Sequence, residues 1–122
     1  MSRVLVVDDE PSIRLLVARA LEKRGFDVDS AIDGVEALQK LSERQYDLLV
    51  LDLMMPRLDG LGVIENLADR PAVPKILIMT AASPSVFSQI PRERVDGIIN
   101  KPFDLGALVA SAEKLSEPDG HD

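Results

Sequence analysis

The chain has 122 residues, 46% hydrophobic and 29% charged, with a formal net charge of −7; this is the size and make-up of one globular domain that closes a core without metal or disulfide staples. With no cysteine and a single histidine, His121, it has no disulfides, thiolate metal sites or Cys nucleophiles and no multi-histidine zinc constellation. The acidic balance argues against nucleic acid as a direct partner, and no apolar run approaches the ~20 residues that span a bilayer, so the expectation is a soluble cytoplasmic domain without membrane contact.

The chain opens on a strand-like MSRVLVV rather than a signal-peptide apolar core. Val4–Val7 (VLVV) is continuous and β-branched-rich, the pattern of a strand buried on both faces of a parallel sheet. Pro11 then starts a helix in which Ile13, Leu16, Val17, Ala20 and Leu21 recur at the spacing of one buried face. Gly25, after Lys23 and Arg24, stops it. Phe26–Ala31 (FDVDSA) alternates apolar and polar, which predicts an edge strand with one wet face. A second helix opens at Asp33, with Glu36 in capping-box position, and buries Leu38 and Leu41. Leu48–Leu51 (LLVL) is the next buried strand, followed by a helix that Asp59 caps and that buries Ile64, Leu67 and Ala68. Ile76–Met79 (ILIM) repeats the buried-strand pattern. In the stretch from Ala81 to Asn100, Pro91 limits a fourth helix to roughly two turns from Pro84. A weaker strand follows at Val95–Asn100, and a last helix, capped by Asp104, buries Leu105, Leu108, Val109 and Ala112. From Ser116, SEPDGHD loses periodicity, so a domain is expected over 1–116, with 117–122 a disordered tail or the start of a linker and His121 solvated within it. The alternating order predicts a doubly wound α/β fold, with helices on both faces of a parallel sheet.

Polar groups follow four of these strands. VLVV leads into Asp8, Asp9 and Glu10, LLVL into Asp52, ILIM into Thr80, and GIIN into Lys101. In open α/β sheets ligands bind outside the carboxyl ends of the strands, so the sheet gathers these groups into one crevice. Clustered carboxylates repel unless a cation compensates, and oxygen-only ligands in small number suit Mg²⁺. The charges of Asp8, Asp9, Asp52, one Mg²⁺ and Lys101 cancel. A carboxylate beside a metal and an ammonium is a plausible nucleophile toward phosphorus, with Thr80 as a hydrogen-bond donor and the small Ala81 leaving the approach open. Singly, each residue has a plainer reading: Asp8, Asp9 or Glu10 as a helix cap, Asp52 as a turn starter, Thr80 as a strand-end core residue, Lys101 as a solvated charge. Jointly, at four strand ends, the plain readings lose. Met54 and Met55 read as loop packing, and Arg57 as surface.

VLVVDDE, LLVLDLMMPRLDG, ILIMTA and INKPF together closely resemble the receiver domains of two-component response regulators, over Arg3 to Leu115. The resemblance implies a flavodoxin-like sheet of five parallel strands in the order 2-1-3-4-5, here with an atypically short fourth helix. It implies that Asp52 takes a phosphoryl group from a histidine kinase or histidine phosphotransfer protein. Asp9, Asp52 and the Met54 backbone carbonyl would bind Mg²⁺ directly, with Asp8 acting through water. Lys101 would contact the phosphoryl group, Thr80 would shift toward it, and Lys101–Pro102 would be cis. The domain would then switch a downstream partner or output domain, rather than act as an enzyme beyond its own phosphorylation and dephosphorylation.

The chain departs from the family where an aromatic usually precedes the lysine by three positions; here that switch position is Ile98. Met54 and Ala82 occupy positions that in the family hold or block a hydrolytic water, and neither holds one, which implies slow self-dephosphorylation. A haloacid-dehalogenase-type phosphohydrolase is the alternative enzyme, but its acids are spaced two apart, whereas Asp8 and Asp9 are adjacent, and 122 residues leave no room for a cap. A pseudo-receiver acting only by protein contact is the other alternative, disfavoured by the intact Asp52, Asp9 and Lys101 and favoured only by Ile98.

Overall fold

A computed structural model describes residues 2–55, 57–81, 84–101 and 104–116. The elements are β1 (Arg3–Val7), α1 (Pro11–Glu22), β2 (Asp27–Ala31), α2 (Gly34–Glu43), β3 (Leu48–Asp52), α3 (Gly60–Leu67), β4 (Lys75–Thr80), α4 (Pro84–Phe87), a 3-10 turn (Arg92–Arg94), β5 (Gly97–Asn100) and α5 (Leu105–Leu115). The strands form one parallel sheet, as the sequence pattern predicts, in the order β2-β1-β3-β4-β5 that the family resemblance implies.

Continuous apolar strands are explained by two cores. Successive side chains point to opposite faces, and both faces are covered. Leu5, Val7, Leu49, Leu51, Ile76 and Ile78 pack on Ala37, Val63, Ile64 and Leu67 of α2 and α3. Val4, Val6, Leu48, Val50, Leu77 and Met79 pack on Val17, Leu21, Leu108, Val109 and Ala112 of α1 and α5. Each fully buried side chain of this size contributes about 1.5–3 kcal/mol relative to exposure.

The helix starts follow local chemistry. Asp33 accepts a hydrogen bond from the Glu36 amide at 2.9 Å, while the Glu36 carboxylate accepts from the Ile32 amide at 2.7 Å. Asp59 and Asp104 cap α3 and α5 through Gly62 and Gly106. At α1 the Glu10 side chain makes no cap bond, and Pro11 at the first helical position removes one of the donors a cap would have to satisfy. Gly25 takes the left-handed turn after α1, with φ at +92°.

Four expectations are corrected. Leu16 is 53% exposed, because it lies roughly 100° around the helix from Val17, on the rim of a stripe centred on Val17 and Leu21. Ala68 is exposed as the residue that ends α3. The fourth helix has one turn, not two. The Gln89 amide donates to the Val86 carbonyl, while the Ser85 carbonyl accepts from the Ser88 hydroxyl and the Gln89 side chain; these local side-chain bonds replace the next helical turn. The last strand begins at Gly97 rather than Val95, since Asp96 bends the chain by exchanging bonds with both backbone groups of Ile76. The Lys101–Pro102 bond, Ala82, Ser83 and residues 117–122 with His121 lie outside the described residues.

Candidate functional site

Because the strands run parallel, their carboxyl ends share one edge. The pairs Asp52 with Met79 and Thr80 with Asn100 close the registers of β3–β4 and β4–β5. Asp8 and Asp9 follow β1, and Lys101 follows β5. The structure therefore brings Asp8, Asp9, Asp52, Thr80 and Lys101 to one rim.

Their environments differ. Asp8, Asp52 and Thr80 are buried, with Asp52 at 4% exposure, whereas Asp9 faces solvent. Carboxylate oxygens of Asp8, Asp9 and Asp52 all lie within 4.8 Å of one another. The Lys101 ammonium donates to Asp8 Oδ2 at 2.9 Å and to Asp52 Oδ2 at 3.4 Å. Asp8 Oδ1 accepts from the Glu10 amide at 2.9 Å, and the Arg14 guanidinium donates to the Asp8 carbonyl at 2.8 Å, fixing the turn into α1. Asp52 Oδ1 accepts from the Met54 amide at 3.2 Å.

The electrostatics follow from this packing. Burial, and then the negative charge of Asp8, push the Asp52 carboxyl up to about 6, although Lys101 and the Met54 amide pull it back. Burial disfavours the charge on Lys101, but its bonds to Asp8 and Asp52 outweigh that effect and hold its pKa above the ordinary lysine value. One ammonium thus bonds two of the three gathered carboxylates, Asp8 and Asp52. Three acidic oxygens within 4.8 Å of one another make a donor set that fits a hard divalent cation such as Mg²⁺.

The surrounding loop is less regular than its sequence. Met55 packs against the core, as expected of loop packing, but the Met54 side chain is 56% exposed beside Asp9 and Asp59. Arg57 is not simply surface: its Nε donates to Asp33 Oδ2 at 2.7 Å. No local signal in the sequence links residues 24 apart, so this pair had no readable mark. Ile98 is half-buried and lies opposite Ile78, on the face of β4 that also carries Thr80.

The family model described as "Response regulator receiver domain" matches residues 4–113. The chain is 38% identical over 121 residues to the transcriptional regulatory protein TrcR of Mycobacterium tuberculosis, covering 98% of this chain and 47% of that protein. It is 41% identical over 119 residues to the alkaline phosphatase synthesis transcriptional regulatory protein PhoP of Bacillus subtilis, covering 94% and 50%. The chain thus spans about half the length of these relatives. The crystal structure of the response regulator TrrA from Thermotoga maritima in complex with Mg(2+)-BeF superposes with a TM-score of 0.84 at 37% identity, covering 94% of this chain and 99% of that one. The phosphohydrolase alternative falls with this match. Sheet order, strand-end residues and relatives agree: the chain belongs to the receiver domains of two-component response regulators.

Proposed function

We propose that Asp52 is the phosphoacceptor of this receiver. The observation that carries the reading is a carboxylate buried to 4% exposure at the end of β3, 3.4 Å from the Lys101 ammonium and grouped with Asp8 and Asp9. One Asp52 oxygen attacks the phosphorus of a phosphohistidine on a histidine kinase or histidine phosphotransfer protein. The P–O bond forms as the P–N bond breaks, and the departing imidazole nitrogen keeps the electron pair and takes up a proton. Lys101 turns from Asp8 toward the transferred phosphoryl oxygens, and the Thr80 hydroxyl donates to another of them. Asp9, Asp52 and the Met54 carbonyl would hold Mg²⁺, with Asp8 helping through water; when bound, the ion would offset the carboxylate charge and polarise the phosphoryl group.

The domain is a switch and not an enzyme on external substrates, acting on an output domain or a separate partner. We take residues 1–116 as the receiver and 117–122 as a tail or the start of a linker. Its net charge of −7 supports a cytoplasmic domain that binds neither nucleic acid nor membrane directly, and no helix among the described residues is long and apolar enough to cross a membrane. A pseudo-receiver would have no need of the Lys101–Asp8–Asp52 cluster.

Incubation with acetyl phosphate and Mg²⁺ tests the assignment, because positioning and charge neutralisation within the site do most of the work of phosphoryl transfer. Intact-mass spectrometry should find one added phosphoryl group, lost in Asp52→Asn. Equal labelling of that variant would overturn it.

A further inference from the structure

The loop leading from Asp52 into α3 is tied at both ends. At the near end the Met54 amide donates to Asp52 Oδ1, and the Gly60 amide donates back to the Leu53 carbonyl at 3.0 Å. At the far end it is fastened to α2. The Gly34 amide donates to the Leu58 carbonyl at 3.1 Å, and a Cβ on Gly34 would sit 2.2 Å from that carbonyl oxygen. One residue before Leu58, Arg57 reaches Asp33 at 2.7 Å.

That ion pair is asymmetric. Asp33 is fixed and buried, with its other oxygen engaged as the cap of α2. The Arg57 side chain is 60% exposed against 6% for Asp33, so solvent screens the guanidinium end and reduces what the pair adds to stability. Arg57 also has φ at +68°, the one non-glycine in the left-handed region among the described residues. A side chain disfavours that conformation, so the residue accepts backbone strain for a contact of small stabilising value. Strain of this kind gathers where geometry serves a site, and Arg57 lies three residues beyond Met54.

We propose that Arg57 is a positioning residue for the cation site: paired with Asp33, it clamps the Leu53–Asp59 loop onto α2 and so fixes where Met54 presents its carbonyl. The inference rests on the reading of Asp8, Asp9, Asp52 and Met54 as a Mg²⁺ site. Its consequence is that the pair sets Mg²⁺ affinity more than fold stability. An unclamped loop must lose its freedom when the ion binds, and that entropy is subtracted from affinity.

Arg57→Gly separates the two effects, because glycine relieves the positive φ while removing the guanidinium. Its melting temperature in EDTA should equal or exceed that of the wild type, while the Kd for Mg²⁺ alone, by titration calorimetry, rises about tenfold, as loss of a supporting partner at a metal site does. Asp33→Asn keeps an oxygen to cap α2 and should raise the Kd similarly, and the double variant should be no worse than either single one. Amide exchange of Leu53, Met54 and Leu58 in EDTA gives a readout without metal, and should quicken in Arg57→Gly. If the wild type binds Mg²⁺ and Arg57→Gly binds it equally well, the role of Arg57 is overturned. If the wild type itself shows no Mg²⁺ binding, the metal reading fails and the inference fails with it.

Discussion

Asp52 Oδ2 and Lys101 Nζ stand 3.4 Å apart at the ends of β3 and β5, two strands with β4 between them. The chain continues the β4–β5 pairing one residue past the strand, since the Lys101 amide donates to the Thr80 carbonyl at 2.7 Å. From there the long lysine side chain crosses the edge of the sheet to Asp52. Its nearer partner is Asp8, at 2.9 Å, so the ammonium is shared, and a phosphoryl group on Asp52 would compete with Asp8 for it.

The raised pKa of Asp52 makes the metal-free protein sensitive to pH. Its carboxyl titrates at about 6 in the folded chain against 3.8 for an ordinary aspartate, so the folded state binds the proton more tightly than the unfolded one. This group therefore favours folding below pH ~4, and that benefit is lost as pH rises through about 4 to 6. Above that window the ionised carboxylate costs on the order of 2–3 kcal/mol. Asp52→Asn removes the cost, so in EDTA at pH 7.5 the variant should be the more stable by about this amount. Urea unfolding across the window checks it, and a wild-type-to-variant difference that does not change with pH would contradict it.

Lys101→Met leaves Asp8 fully buried without its cation. Removing one partner of a buried pair costs about 3 kcal/mol, so the metal-free variant should be destabilised by that order. Saturating Mg²⁺, bound only by the folded state, should return part of the loss. Denaturation midpoints with and without Mg²⁺ measure both effects, and a variant as stable as the wild type in EDTA would show that the pair is inconsequential.

We predict that Met54 sets the lifetime of the phosphorylated state. Its exposed thioether beside Asp9 cannot hold a water in line with an acyl phosphate, as an amide could. Met54→Asn should therefore shorten the half-life severalfold, followed as loss of the phosphorylated mass after the donor is removed. An unchanged or longer half-life would refute the assignment.

The segment from Pro84 to Arg94 is where phosphorylation should be read out. Ile98 has no ring to rotate, and α4 is a single turn followed by a 3-10 turn. Such a segment has little cooperative hydrogen bonding of its own, and elements of low local stability change order at small cost. Beryllofluoride with Mg²⁺, mimicking the phosphoryl group, should alter amide exchange over residues 84–94. Changes elsewhere with this segment constant would rule the mechanism out.

The sequence by itself determined the parallel sheet, the caps and which residues gather at the strand ends. VLVV, LLVL and ILIM are buried on both faces, and Asp33, Asp59 and Asp104 open their helices as their spacing requires. These are local properties: strand and helix periods and cap chemistry act over a few residues, and the parallel topology then collects the strand ends. Only the tertiary structure decided how the members of the site partition. It set Lys101 closer to Asp8 than to Asp52, buried Asp52 while leaving Asp9 wet, turned Leu16 out and cut α4 to one turn. It also joined Arg57 to Asp33. Helix α4 stops where the side chains of Ser88 and Gln89 bond the Ser85 carbonyl. The partition of the site and the Arg57–Asp33 pair are fixed by distances between elements far apart in the chain, and such distances come from packing, for which a linear pattern carries no signal.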